Sequence, residues 1–124
     1  MTNTEICAAL FQAFETGDKD QIRALCSENL KAQQNGGPVM GLDALIGFSG
    51  AVLSVVDGFH YAEPIRSATE TGFVEEHAVR GTLPDGSALD ITLCVIAEVT
   101  DGKVTAIREY LDGEAASGLR AALA

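Results

Sequence analysis

Two tight-turn signals, Pro84-Asp85-Gly86 and Asp101-Gly102, divide the C-terminal half into strand-length runs with no room between them for a crossover helix. Strands joined in this way must lie antiparallel, side by side. The runs from Phe59 to Ser67, Gly72 to Leu83, Ala88 to Thr100 and Lys103 to Asp112 are therefore predicted as successive strands of one sheet.

The N-terminal half has a different texture. Thr2-Asn3-Thr4-Glu5 offers an N-cap with an acid three residues on, and Ile6, Cys7, Leu10, Phe11, Ala13 and Phe14 then recur at helical spacing. A first helix should end at Gly17, and Asp18-Lys19-Asp20-Gln21 should open a short second one carrying Ile22, Leu25 and Cys26. Leu30 to Asn35 reads as a short strand. Gly36-Gly37-Pro38 then breaks the chain before a third helix from Leu42 to Val56. Within it Gly47 and Gly50 each cost roughly 1 kcal/mol against alanine, a cost that close packing on the sheet would explain. The alanine-rich stretch from Gly113 to Ala124 adds a final short helix. Helices preceding strands, rather than alternating with them, predict an α+β fold: one curved sheet covered by helices.

At 124 residues the chain is expected to form a single domain, 1–124, large enough to enclose a small pocket. The net charge of -10 arises from 18 acidic against 8 basic residues with no basic cluster, which argues against nucleic acid and anionic membranes as partners. No apolar stretch approaches the roughly 20 residues of a membrane span, and the first residues lack the pattern of a secretory signal. A cytoplasmic location is expected. Cys7, Cys26 and Cys94 are odd in number and widely spaced, so neither a disulfide framework nor a zinc site is suggested, and buried thiols are expected.

Period-two alternation assigns the strand faces. Leu89, Ile91, Leu93, Val95, Ala97 and Val99 form a buried face, opposite the mixed Asp90, Thr92, Cys94, Ile96 and Glu98. In the last strand Val104, Ala106, Arg108, Tyr110 and Asp112 fall on one face, and Thr105, Ile107, Glu109 and Leu111 on the other. Glu75, His77 and Val79 share a face of the middle strand. A histidine with an acid two residues away is either a pH-tuned acid/base or a satisfied polar position at a subunit interface. Asp112 likewise reads as a general acid/base at the end of an apolar strand or as its solvated terminus.

The order of elements, together with Gly41-Leu42-Asp43-Ala44-Leu45, the run from Val74 to Gly86 and the run from Asp101 to Asp112, resembles the SnoaL-like branch of the nuclear transport factor 2 superfamily over nearly the whole chain. That resemblance implies a cone-shaped NTF2-like fold, with N-terminal helices packed on a strongly bent, mainly antiparallel sheet. It further implies a pocket inside the cone for a small apolar ligand, and a homodimer built on the sheet. Members include cyclases, isomerases, dehydratases, epoxide hydrolases and non-enzymatic binding domains, so fold does not fix activity. Asp112 matches the family's acid/base aspartate at the end of the final strand. Asn35 fits the asparagine that holds water in the epoxide hydrolases, with Gln33 in place of their tyrosine.

Two departures narrow the chemistry that the resemblance implies. Where the hydrolases carry an arginine and a second aspartate on the middle strand, this chain has His77 and Val79, which disfavours epoxide hydrolysis. The isomerases' first-strand aspartate would fall among Gln33, Gln34 and Asn35, whose amides cannot take a proton. The remaining expectation is cofactor-independent and metal-free proton transfer on a small apolar carbonyl compound, of cyclase or isomerase type. In it Asp112 moves the proton, His77 donates to an enolate oxygen, and Tyr110, Asn35 and Gln33 bind the substrate. The alternative is a non-catalytic ligand-binding or dimerisation module.

Overall fold

A computed structural model describes all 124 residues. Helix α1 spans Asn3–Thr16, closed at its start by the Thr2–Glu5 capping box and at its end by Gly17 in the left-handed region at φ 71°. Its Ile6, Cys7, Leu10, Phe11, Ala13 and Phe14 are all buried, as the spacing predicts. Full burial of a side chain such as Ile6 or Leu10 stabilises the fold by about 1.5–3 kcal/mol. Helix α2, Lys19–Leu25, is capped by Asp18, whose carboxylate accepts from the Gln21 N–H.

Strand β1 runs over Cys26–Gln34, starting earlier than the sequence suggests because Cys26 has already turned to extended backbone at φ -112°, ψ 150°. Helix α3, Leu42–Val55, follows. Close packing does not account for its glycines, since a Cβ at Gly47 or Gly50 would meet nothing within 4 Å. The meander then comprises β2, Asp57–Ala68, β3, Gly72–Thr82, β4, Ala88–Thr100, and β5, Lys103–Leu111, and the chain closes with α4, Ser117–Leu123.

The five strands lie in the order β1-β5-β4-β3-β2, with β1 parallel to β5 and every other pair antiparallel. Register sets the inner face row by row, because directly paired residues point the same way. Phe73, Ala97, Ile107 and Ala32 form one row. Arg66, Glu75, Val95, Glu109 and Gln34 form the next, and His77, Leu93 and Leu111 a third. The outer face carries its own row of Ile65, Glu76, Cys94 and Tyr110.

One irregularity governs the last strand. Val99 pairs with Val104 but Glu98 pairs with Ala106, so Thr105 is an extra residue, a bulge that reverses the alternation. Val104 is buried before it, and Ile107, Glu109 and Leu111 point inward after it. The strict period-two reading places Ala106, Arg108 and Tyr110 with Val104; the bulge turns them to the outer face.

Candidate active site

The first inner row is closed over by the helices, with Phe73 fully buried. Farther along the strands, α1, α3 and α4 stand off the sheet and leave a cavity of about 280 Å³. Of its 21 lining residues 16 are hydrophobic, so the five exceptions, Gln34, Ser49, His77, Glu109 and Arg120, together with the Tyr61 hydroxyl, carry whatever polar chemistry it has.

His77 is 2% exposed and Glu75 fully buried, and the two are locked together, His77 Nδ1 lying 2.6 Å from Glu75 Oε2. The other carboxylate oxygen accepts from Arg66 Nε at 2.7 Å and from Cys7 Sγ at 3.5 Å. Burial alone would raise the Glu75 carboxyl, but the hydrogen bonds from His77 and Arg66 outweigh it and hold the group below its ordinary value of 4.5. An ionised Glu75 only accepts, so the proton of the shared hydrogen bond sits on His77 Nδ1. The imidazole is gripped edge-on by Phe11 and tilted against Tyr61, with ring centroids 4.8 Å and 4.6 Å away. No buried side-chain nitrogen or oxygen lacks a partner, and His77 Nε2 makes no hydrogen bond to protein, so this atom opens onto the cavity.

Glu109 faces the same space one row along and two strands over, about 10 Å from Glu75 by interstrand spacing. Its Oε1 accepts from Gln34 Nε2 at 3.1 Å. Burial pushes its carboxyl up, and neither the Gln34 hydrogen bond nor the charge His77 can carry cancels the effect. Burial likewise raises the Tyr61 phenol, with Glu109, Glu15 and Glu75 adding to it, so Tyr61 remains a neutral donor on the cavity wall. No three His, Cys, Asp or Glu side chains come together in a metal-ligating group.

Of the residues singled out from sequence, only His77 lines this cavity. Tyr110 sits on the outer face, 45% exposed, in register with Cys94. Asp112 lies beyond the end of β5, exposed, with its carboxylate accepting from the Glu114 N–H. Asn35 is spent on backbone: its amide donates to the Leu111 carbonyl and accepts the Leu111 N–H, extending the β1–β5 pairing. Gln33 donates to the Gly37 carbonyl, while its neighbour Gln34 reaches the cavity. Sequence reasoning did not single out Glu109, which lines the cavity. The available signal was the spacing of Val104, Ile107 and Leu111, which no unbroken alternation can bury together.

The model of the SnoaL-like domain matches residues 7–107. This chain belongs to the SnoaL-like family. No curated protein matches its sequence. Among solved structures, a proposed polyketide cyclase from Xanthomonas campestris pv. campestris superposes with a TM-score of 0.81 at 21% identity, covering 98% of this chain and 96% of that one. An LEH-like epoxide hydrolase of M. tuberculosis gives 0.76 at 19% identity, over 98% and 88% of the two chains. A protein of ketosteroid isomerase-like fold from Catenulispora acidiphila, solved in complex with trimethylamine, gives 0.76 at 13% identity, over 88% and 86%. At these identities the SnoaL-like chain shares with them its fold, the α+β NTF2-like cone of helices on a mixed sheet. No helix of it is long and apolar enough to cross a membrane.

Proposed function

We propose that this SnoaL-like protein carries out cofactor-independent proton transfer on a small, largely apolar carbonyl compound, with His77 as base and Glu109 as acid. The observation that carries the reading is the buried Glu75–His77 pair, which leaves Nε2 facing an apolar cavity that the Glu109 carboxyl also lines. Neutral His77, its Nδ1 proton held by Glu75, offers the Nε2 lone pair to an acidic C–H beside the carbonyl. As that bond breaks, its electron pair moves into the carbonyl. Glu109, kept protonated more readily by its burial, donates to the oxygen on which charge develops. In an isomerisation the imidazolium then gives its proton to a remote carbon of a conjugated enol while the enol O–H returns its proton to Glu109; in a ring closure the enol carbon attacks a second carbonyl, whose oxygen takes the imidazolium proton as the enol O–H returns its own to Glu109.

Glu109 thus takes the part first expected of Asp112. A pure binding module would need the apolar cavity but not a buried ion-paired carboxylate behind the histidine, an arrangement that costs desolvation. The test is exchange of the α-hydrogens of 1-tetralone for solvent deuterium, followed by NMR. The protein should accelerate exchange, and His77→Gln should lower the rate by about 10²–10⁴-fold. Unaccelerated exchange by the folded protein overturns the reading.

We further propose that a second copy of the chain packs on the outer face of the sheet, where Ile65 is 67% exposed and stands in one row with Cys94 and Tyr110. Light scattering on the eluting protein should give twice the chain mass, and Tyr110→Glu should give the monomer.

A further inference from the structure

Arg120 on α4 is set apart from the other arginines. Arg23, Arg66, Arg80 and Arg108 each contact at least one carboxylate within 4 Å, as expected in a chain with 18 acidic residues. Arg120 contacts none. The guanidinium's single hydrogen bond runs from Nη2 to the Gly113 carbonyl at 2.6 Å, and Arg120 is the one arginine or lysine among the cavity-lining residues. A guanidinium has five N–H donors in a planar fork, so most of its capacity is unspent.

Its position gives that capacity a direction. Arg120 is exposed and belongs to the helical rim of the cavity together with Ser49 of α3, whereas His77 and Glu109 belong to the sheet wall. The polar lining of the cavity therefore comes from two sides: His77 and Glu109 from the sheet, a cation and a hydroxyl from the helices.

We infer that the substrate is an amphipathic monocarboxylate: an apolar carbonyl-bearing body that enters the cavity while its carboxylate stays at the rim on Arg120, with Ser49 beside it. The inference rests on the cavity being the ligand site, as in the proposed function. A single arginine in the cavity lining, with a glutamate in the same cavity and a chain net charge of -10, suits a single negative charge and disfavours a phosphate dianion. A charge-assisted contact of this kind adds affinity for the acid over its neutral isostere.

The probes are 1-naphthylacetate and 1-naphthylacetamide, which share the apolar body and differ in charge, with binding followed by calorimetry and by NMR shifts of cavity methyls. The acid should bind the native protein about tenfold or more tightly than the amide, and Arg120→Gln should abolish that preference while leaving the amide nearly unchanged. Arg120→Lys should restore part of it. Equal affinity of the native protein for both probes overturns the inference, as does an equal loss for both in Arg120→Gln, which would make Arg120 a tether of α4 through Gly113. If neither probe binds, the cavity reading falls with it. If the acid binds through Arg120 but 1-tetralone exchange is not accelerated, only the catalytic reading fails.

Discussion

Glu75 and Glu109 lie in one row across the inner face of the sheet, yet their surroundings shift them in opposite directions. Glu75 is backed by Arg66 and His77 and favours its charge; Glu109 has an amide and apolar walls and favours its proton. The consequences for stability are opposite in sign. For Glu75, depressed below 4.5 in the folded state, the stabilisation is present above that value and is lost as pH falls through the folded one. Arg66→Ala leaves this buried carboxylate short of a partner and should lower stability at neutral pH by about 1–3 kcal/mol, measured by denaturant unfolding. For Glu109, raised above 4.5, the folded state binds the proton more tightly than the unfolded chain. Its burial is without penalty at low pH and becomes destabilising as pH rises through that window. Glu109→Gln should therefore raise Tm at pH 7 and lose that advantage near pH 4, while impairing turnover, a trade of stability for function.

Most of the elements were legible in the sequence because their signals are local. The Thr2–Glu5 box, Gly17 and the two tight turns each fix a boundary within a few residues, and the alternation of Leu89 to Val99 alone identifies the inner face of β4. The bulge at Thr105 is signalled only by the uneven spacing of Val104, Ile107 and Leu111, since its position depends on how β5 settles against β4. That single extra residue decides whether Glu109 or Tyr110 faces the cavity. Deleting Thr105 should remove the bulge yet leave Val104, Ile107, Glu109 and Leu111 together on the inner face, so the shortened chain should keep its cooperative thermal transition. Glycine effects also separate by element. A Cβ at Gly72 would fall 1.9 Å from the Ala97 carbonyl oxygen, so Gly72→Ala should destabilise by about 1–3 kcal/mol or more. The open space around Gly47 predicts the reverse, with Gly47→Ala stabilising α3 by up to about 1 kcal/mol in the same unfolding measurement.

At the scale of the whole molecule, helices cover one end of the inner face and leave the other open as a cavity, so the same sheet supplies a packed core and the wall of a pocket. Family resemblance located the fold, while β5 offers two carboxylates, one beyond its end and one on its inner face. Asp112 at the strand end is solvated and occupied by the Glu114 N–H; Glu109 is enclosed opposite His77. The decisive measurement is the rate of deuterium exchange into 1-tetralone by Glu109→Gln and Asp112→Asn compared with the native protein. Glu109→Gln should slow exchange by about 10²-fold or more, and Asp112→Asn should leave it within about twofold. Normal exchange in Glu109→Gln together with its loss in Asp112→Asn would contradict the assignment of the chemistry to the inner face.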